Sequence, residues 1–316
     1  MRLRCPPSRE SLVIEDPEVA VVLDAFRVPR TVAQATEKLD SFDADEVAEV
    51  VQALQEHGAL VVADEPPHPI GLGAWEPHSL YFHQMLSVAR PPRRALPGEA
   101  PPPVKPPMSS RTVVLDRSVE IPPRTLADIL QLRVSRREHS DEPIVPSALS
   151  ALLWASCRNV ELGGTWHRPY PSGGGAYSLE LYLAMDDRAV EGVGAGVWHY
   201  CPSRHLLEEI SCDVDRAMPF MEAAAAAAGM DREPAVTMLI TSRIARVSAT
   251  YERVPLGLVL QEVGCLFQTL YLVATALDLA PCAIGGTLGG EALATLGGFH
   301  ALEEPIVGRF VLGNRC

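Results

Sequence analysis

The segment Arg133-Val134-Ser135-Arg136-Arg137 places three guanidinium groups and one hydroxyl within five residues. A guanidinium presents a fixed fork of donors, so such a cluster can grip one phosphate through charge-assisted bonds. The same residues could instead form the solvated cationic end of the helix predicted just before them. Because the chain as a whole carries a net charge of −13, the cluster marks a candidate anion site on an acidic protein.

A second cluster, Pro171-Ser172-Gly173-Gly174-Gly175-Ala176-Tyr177, directly precedes a predicted strand. Glycine lacks a Cβ, which lets the backbone approach a planar ligand and present its N–H groups. The spacing matches neither GxGxxG nor a Walker loop, so neither a Rossmann nor a P-loop site is predicted. A glycine turn before a strand is also common in proteins without a ligand there.

A third candidate segment, residues 243–253, carries Tyr251 between arginines. Nearby cations favour the ionised form of a phenol, which suits Tyr251 to proton transfer. A tyrosine at the rim of the surface fits the same pattern.

The pattern from residue 124 to 316 mixes helices and strands, which predicts an α+β sandwich. Helices are predicted at residues 127–132, 146–157, 217–228 and 256–279, and strands at 179–184, 196–200, 235–241 and 306–312. The long apolar helix carries Gln261, Glu262 and Gln268, which would be costly in hydrocarbon. A buried core helix is therefore predicted, and no membrane association.

Residues 10–64 have the pattern of three helices followed by a strand, the outline of a small winged-helix-like domain. Asp16-Pro17, Thr31 and the pair Asp43/Glu46 are helix-start signals, and residues 59–62 are the strand candidate. A DNA-reading helix needs Arg, Lys, Asn or Gln on its exposed face, whereas these helices are acidic. A structural or peptide-docking module is favoured, and no nucleic-acid partner is expected.

Residues 65–123 are dense in proline, which cannot continue a helix or a central strand. They predict a linker, or an extended arm lying across a surface, with the aromatic stretch Trp75–His83 packed down.

Seven scattered cysteines with no CxxC pair predict neither a disulfide framework nor a metal site. The first residues lack the apolar region of a secretory signal, so a cytoplasmic protein is expected.

Several motifs in order resemble the nitroreductase superfamily, specifically its SagB-type branch. Arg133-x-Ser135-x-Arg137 followed by Asp141-Glu142-Pro143-Ile144 resembles the opening motif, and Pro171 to Tyr182 is similar to the branch's Pro-Ser-Gly signature. Gly196-Val197-Trp198-His199-Tyr200, then Ile284-Gly285-Gly286 and Val311-Leu312-Gly313, keep the family order. The resemblance covers about the C-terminal two thirds of the chain.

The resemblance implies a nitroreductase-like sandwich that binds FMN at the interface of a homodimer. Arg133, Ser135 and Arg137 would hold the phosphate. The partner subunit would supply Ser172, Gly173 and Gly174 to line the flavin ring. Backbone near Gly285 and Gly286 would also reach the flavin, and Arg315 would add a phosphate contact.

SagB-type enzymes oxidise azoline rings to azoles in ribosomally made peptides, alongside a cyclodehydratase-type partner enzyme. The resemblance therefore implies a dehydrogenase for a peptide or carrier-bound substrate, with hydride passing to flavin N5 and Tyr251 in proton transfer. The family has a Lys-Tyr pair where this chain has Thr250-Tyr251. Threonine cannot act as a base at neutral pH. Two alternatives thus stay open, an NAD(P)H-dependent flavin reductase and a catalytically degenerate scaffold of a biosynthetic complex.

Overall fold

The computed structural model describes residues 2–4, 11–14, 16–39, 41–57, 59–60, 62, 79, 82–83, 86, 100–118, 120–251, 255–286, 296 and 302–316. The chain divides into two compact units, Met1–Arg90 and Pro91–Cys316. Each unit has a hydrophobic core of its own.

Up to residue 62, the described part of the first unit forms a short antiparallel hairpin and three helices: β1 (Arg2–Arg4), β2 (Ser11–Val13), α1 (Pro17–Ala25), α2 (Val32–Thr36) and α3 (Ala44–Glu56). The three predicted helix starts are confirmed. The carboxylate of Asp16 accepts a hydrogen bond from the N–H of Glu18 at 2.8 Å. Thr31 and Asp43 each form a reciprocal capping box with the residue three positions later, which satisfies donors that a helix leaves unpaired at its start.

The predicted strand at residues 59–62 is wrong for the part of it that the structure describes. The N–H groups of Ala59 and Leu60 both donate to the carbonyl of Leu54, at 2.7 and 3.2 Å. These bonds close the C-terminal end of α3 and use the donors that a strand ladder would need. The winged helix thus stays a prediction, and most of the stretch Trp75–His83 lies outside the described residues.

The second unit is built on one antiparallel sheet, whose described part has seven strands in the order β10-β11-β9-β6-β7-β8-β3. The strands are β3 (Thr112–Val114), β6 (Leu179–Met185), β7 (Gly196–Cys201), β8 (Leu206–Ser211), β9 (Val236–Ser242), β10 (Leu279–Ile284) and β11 (Ile306–Asn314), with a separate hairpin of β4 (Val160–Leu162) and β5 (Thr165–His167). The helices are α4 (Leu126–Leu132), α5 (Pro146–Cys157), α6 (Val214–Ala228), α7 (Ile244–Ser248) and α8 (Pro255–Ala276). The predicted α+β sandwich is confirmed.

Helices cover both faces of this sheet. Apolar side chains from α5 and α8, among them Leu152, Leu266 and Leu270, form the main core on one face together with strand residues such as Phe310 of β11. α6 packs on the other face through Ala217, Phe220 and Met221. Strand residues on both faces are buried, so β6 and β9 are buried at every position, without the alternation of a sheet that faces solvent on one side.

The long apolar helix is the core helix α8, which has the length and the composition to cross a membrane, with a mean hydropathy of 1.5. One of its faces is buried against α5 and the sheet, and it includes Glu262, only 2% exposed. The helix ends at Ala276 rather than at the predicted 279, because Asp278 adopts a left-handed conformation with φ of 58° and Leu279 starts β10. The sequence did not predict β10.

Residues 100–117 of the proline-dense segment belong to the second unit and are held to it by hydrogen bonds. Lys105 donates to Glu304 and to Tyr182, both at 2.6 Å, and β3 pairs with β8. The carbonyls of Pro101 and Pro102 accept hydrogen bonds from Arg246 and Arg243 at 2.5 and 2.9 Å. Proline suits such a segment, since extended backbone without donors can be held through its carbonyls.

A buried charged network lies on the sheet face next to this arm. His199 contacts Glu208 through Nδ1 at 2.9 Å and Glu180 through Nε2 at 3.2 Å, and all three side chains are almost completely buried. Burial alone would raise the pKa of Glu180, but the hydrogen bond and charge of His199, with Arg168 and Lys105, hold this pKa at about 2. Burial alone would lower the pKa of His199, yet its two carboxylate partners raise it.

This network predicts a stability maximum in mildly acidic solution. The Glu180 contribution is present above its ordinary pKa of 4.5 and is lost as the pH falls towards 2, on the order of 3 kcal/mol. The His199 contribution is complete below 6.5 and is lost as the pH rises through its raised pKa. Denaturant unfolding across pH checks this. Glu180→Gln should flatten the acid limb, and an unchanged acid limb in that variant would contradict the assignment.

Candidate active site

The arginine-rich segment is an irregular loop rather than a helix end. α4 ends at Leu132 with Arg133 as its C-cap, and the loop then runs beside the edge strand β10, where the N–H of Arg136 donates to the carbonyl of Pro281 at 2.8 Å. Residues 134–138 line a cleft of about 500 Å³, together with residues 229–231 and Cys316.

Tyr271 of α8 holds this loop against the sheet. Its hydroxyl is 2.7 Å from Ser135 Oγ and accepts a hydrogen bond from the N–H of Ala283 in β10, also at 2.7 Å. The guanidinium carbon of Arg133 lies 5.3 Å from the centre of the Tyr271 ring, within range of a cation–π contact. One phenol thus connects the core helix, the edge strand and the loop.

Tyr271→Phe is expected to destabilise the protein by about 1–3 kcal/mol, because it leaves the N–H of Ala283 unpaired in a part-buried position. The loop should also lose its anchor at Ser135, so affinity for a phosphate ligand should fall. Denaturant unfolding and titration with FMN measure the two effects. Thr269→Val is the matched control, since the Thr269 hydroxyl bonds only to its own helix at Cys265. Equal behaviour of the two variants would contradict the anchoring role.

The loop fits the phosphate of FMN. Arg133 and Arg136 are half-buried and Arg137 is exposed. Within the described part of the chain, none of these three guanidiniums forms an ion pair with a carboxylate. Unpaired arginines beside a hydroxyl on a loop edging a cleft are the donor set that a phosphate dianion requires.

The glycine turn is a tight 3-10 turn at Gly173–Gly175, directly before β6. Ser172 stabilises it, since its hydroxyl oxygen accepts a hydrogen bond from the N–H of Tyr177 at 2.9 Å. Arg246 fixes the next carbonyl, donating from Nε to Ala176 at 2.8 Å. Because Arg246 also binds Pro101 of the arm, it connects the arm to this turn.

Tyr251 packs directly on the glycine turn. A Cβ placed on Gly174 would lie 3.0 Å from the Tyr251 hydroxyl, and the φ of Gly174 is +62°. A side chain there would therefore be strained and would displace the phenol. A Cβ placed on Gly173 would lie 3.4 Å from the side chain of Leu258 in α8. The structure thus brings the predicted Tyr251 and Ser172–Gly174 together.

The other predicted site residues lie near β10. Gly285 and Gly286 are exposed and directly follow this strand, and the carbonyl of Gly286 accepts from Arg309 Nη2 at 3.3 Å. Arg315 forms an ion pair with Asp278 at 2.8 Å. Arg315 does not line the cleft, whereas its neighbour Cys316 does. The phosphate contact of Arg315 remains a prediction.

Within one chain the predicted site has two parts, the arginine-rich loop and the glycine turn, and they contact α8 at different places. The arginine loop meets α8 at Tyr271, whereas the glycine turn meets it at Leu258. These positions are thirteen residues apart, which is about 20 Å along a helix that rises 1.5 Å per residue.

Sequence reasoning missed three contributors to the site. Tyr271 lies within an apolar helix pattern and gave no signal. Arg136 was part of the arginine cluster but was not assigned a role. The link from Pro101 to the glycine turn through Arg246 joins residues far apart in sequence, and only the fold brings them together.

Comparison with known proteins finds a family and a relative for this chain. Residues 130–313 match the model of the nitroreductase family. A protein of Methanocaldococcus jannaschii described as a nitroreductase is 32% identical over 167 residues, which are 52% of this chain and 81% of that protein.

Solved structures agree with this fold. A nitroreductase from Ralstonia eutropha superposes with a TM-score of 0.53 at 23% identity, covering 71% of this chain and 99% of its own. A chain of the Escherichia coli microcin synthetase McbBCD complex, solved with truncated pro-MccB17 bound, superposes with a TM-score of 0.50 at 17% identity, covering 91% of this chain and 98% of its own. Two further nitroreductase structures, from Desulfovibrio desulfuricans and Bacteroides fragilis, contain FMN.

The family model spans more than half of the chain, and the arginine-rich loop, α8 and the strands from β6 to β10 all lie within the matched residues. The chain therefore belongs to the nitroreductase family.

Proposed function

We propose that this nitroreductase-family oxidoreductase is an FMN-dependent dehydrogenase that oxidises a peptide or carrier-bound heterocycle, of the azoline-to-azole type. FMN is the cofactor, as the FMN-containing family structures support, and when bound it accepts a hydride from the substrate. The observation that carries the proposal is the packing of Tyr251 on the glycine turn, with its hydroxyl 3.0 Å from the Cβ position of Gly174.

In this proposal the residues of the chain have separate tasks. Arg133, Ser135 and Arg137 hold the phosphate, and Ser172, Gly173 and Gly174 lie against the flavin ring. Tyr251, held by the turn, transfers the substrate proton. Its half-buried position beside exposed glycines leaves the phenol open to a ligand on one side.

The site is proposed to form between two copies of the chain, since its two halves lie about 20 Å apart along α8 in each copy. An exposed stripe runs along α8 between them: Leu256 and Leu260 are 43% and 45% exposed, and Gly264 and Gln268 continue it at the same spacing. At Gly264 a Cβ would meet nothing within 4 Å, so a second helix can approach closely. A solution mass of twice 34.2 kDa is expected.

A peptide substrate is supported by two observations. The first unit has a groove of about 710 Å³ lined largely by apolar residues, including Phe26, Val32, Val51 and Leu60. The fold also resembles a chain of the McbBCD complex, whose structure holds pro-MccB17. We therefore propose that a partner enzyme of the cyclodehydratase type supplies the heterocycle that this protein oxidises.

Two measurements test the function. The purified protein should show the absorption bands of an oxidised flavin and release FMN on denaturation. Tyr251→Phe should keep FMN but lower turnover of an azoline peptide by about 100-fold or more, the range of general acid–base catalysis. Undiminished turnover in this variant would remove Tyr251 from proton transfer.

Thr250, which replaces the family lysine, leaves two alternatives open: a flavin reductase that uses NAD(P)H, and a catalytically degenerate scaffold. Rapid bleaching of bound FMN by NADPH, with a nitroarene as acceptor, would support that reaction. Colourless protein that also fails to take up added FMN would support the scaffold instead.

A further inference from the structure

Glu262 is a buried carboxyl group beneath the glycine turn that the function proposed above does not use. Its side chain is 2% exposed on α8. Oε2 accepts a hydrogen bond from Ser178 Oγ at 3.3 Å. Oε1 is fully buried, and no group in the described part of the chain forms a hydrogen bond of ordinary geometry with it. A carboxylate oxygen without a partner is costly in such a position, which calls for an explanation beyond packing.

Ser172 connects this carboxyl group to the outside of the turn. Its hydroxyl is near Glu262 and lowers the pKa of the carboxyl, although the two groups do not form a hydrogen bond of ordinary geometry. The same oxygen accepts from the N–H of Tyr177, which leaves its own proton free to be donated to Glu262. Ser172 is half-buried whereas Glu262 is closed off, so the hydroxyl forms a contact between the buried carboxyl and the turn on which Tyr251 packs.

The groups that face Glu262 from the neighbouring elements are mostly cations and hydroxyls. Arg168 follows β5 and donates to Tyr170 and to the carbonyl of Leu179 at 2.9 and 2.6 Å. Arg246 of α7 also interacts electrostatically with Glu262. Burial raises the pKa of Glu262, while Ser172, Arg168 and Ser178 oppose the rise, and the net direction is upward. Glu262 thus binds a proton more readily than an exposed carboxylate does.

The reaction proposed above releases a proton from the substrate, and the residues assigned to it so far include no group that can keep this proton. Thr250 cannot act as a base at neutral pH. A neutral phenol such as Tyr251 can pass a proton on, but it cannot hold a second one. An ionised carboxyl group in contact with the same turn can.

We propose that Glu262 is the proton-holding residue of this site and exchanges a proton with it through the hydroxyl of Ser172. This inference rests on the proposed function. As the substrate loses a hydride to FMN, its second hydrogen leaves as a proton that reaches Ser172 Oγ, and the hydroxyl proton of Ser172 passes to Glu262. The substrate is oxidised by two electrons, FMN is reduced, and the Glu262 carboxylate becomes a carboxylic acid. Glu262 acts through Ser172, so it is a positioning and proton-holding residue rather than one that touches the substrate.

Infrared difference spectroscopy of the full-length FMN-loaded protein tests this without a known substrate. Photoreduction of FMN with EDTA adds negative charge to the site, which raises the pKa of a nearby carboxylate and draws a proton to it. The wild-type protein should gain a protonated-carboxyl band on reduction, and the band should shift in D₂O. Glu262→Gln should lose this band and Glu262→Asp should regain it at a shifted position. Ser172→Ala should keep the band but slow its appearance by about 100-fold.

Glu180→Gln is the matched control, since Glu180 is buried to a similar degree but belongs to the His199 network. It should leave the reduction-induced band unchanged. A Glu262→Gln protein that binds FMN fully and keeps the wild-type band overturns the assignment of Glu262 alone. Failure of the wild-type protein to bind FMN would overturn the proposed function, and this inference with it. If Glu262→Gln fails to fold, the band of Glu262→Asp decides: an unshifted band overturns the assignment.

Discussion

Replacing both Arg133 and Arg137 with alanine is expected to raise the dissociation constant for FMN by at least about 100-fold. Each charge-assisted hydrogen bond to a phosphate contributes about 1.5–3 kcal/mol. Arg137 lines the cleft and Arg133 lies at the start of the same loop, and neither has a carboxylate partner in the described residues. The double variant should therefore purify largely colourless. Flavin fluorescence, quenched on binding, gives the affinity by titration.

The matched control for this experiment is Arg188→Ala. Arg188 is an exposed arginine of the same unit that pairs with Asp186 at 3.0 Å, away from the cleft. This variant should bind FMN like the wild type, and both proteins should show the same far-ultraviolet circular dichroism. Wild-type affinity in the double arginine variant would show that the loop is a solvated surface segment rather than the phosphate site.

Gly313→Ala is expected to cause the second large effect, a destabilisation of about 3 kcal/mol or more. A Cβ on Gly313 would lie 2.4 Å from Cγ of the His139 ring. Gly313 pairs with Ala280 of β10, and the adjacent Leu312 pairs with Val236 of β9, so the strand cannot move away from His139 easily. His139 is buried and belongs to the loop that begins at Arg133. The substitution should therefore disturb the arginine-rich loop as well as the sheet.

Thermal unfolding measures this effect, and a destabilisation of this size corresponds to a fall in Tm of roughly 6–12 °C. Gly194→Ala is the control, because a Cβ there would meet nothing within 4 Å. FMN affinity measured below the transition shows whether the loop is disturbed in the folded protein. A Gly313→Ala protein with wild-type Tm would mean that His139 can leave its position at little cost.

The sequence determined several helix starts in the first unit, several helices and strands in the second, and the residue types available at the candidate site. Helix starts at Asp16, Thr31 and Asp43 were predictable because a side chain two or three residues from the free N–H groups can cap them. The helix at Pro146–Cys157 and strand β6 were predictable because apolar runs of that length need a core. The order of the motifs indicated the family, which the match over residues 130–313 then showed.

Some predictions from local pattern were wrong or incomplete where a tertiary contact outweighed the local preference. The end of α8 was placed at residue 279, but Leu279 pairs with Asn314 across the sheet, and the pairing of β10 with β11 takes these residues into a strand. The candidate strand after α3 used its N–H groups to close that helix instead.

The tertiary structure alone decided which residues of the site act together. Tyr271 contacts Ser135 across 136 residues of sequence, and Arg246 joins Ala176 to Pro101. Glu262 lies on an apolar helix, and only the packing of α8 under the glycine turn gives this carboxyl group a neighbour in Ser172 and leaves one oxygen unpaired. Residue types and short-range spacing are written in the sequence, because capping and periodicity act over a few residues. The distances between far segments, the burial of a charge and the resulting proton affinity depend on the packed fold.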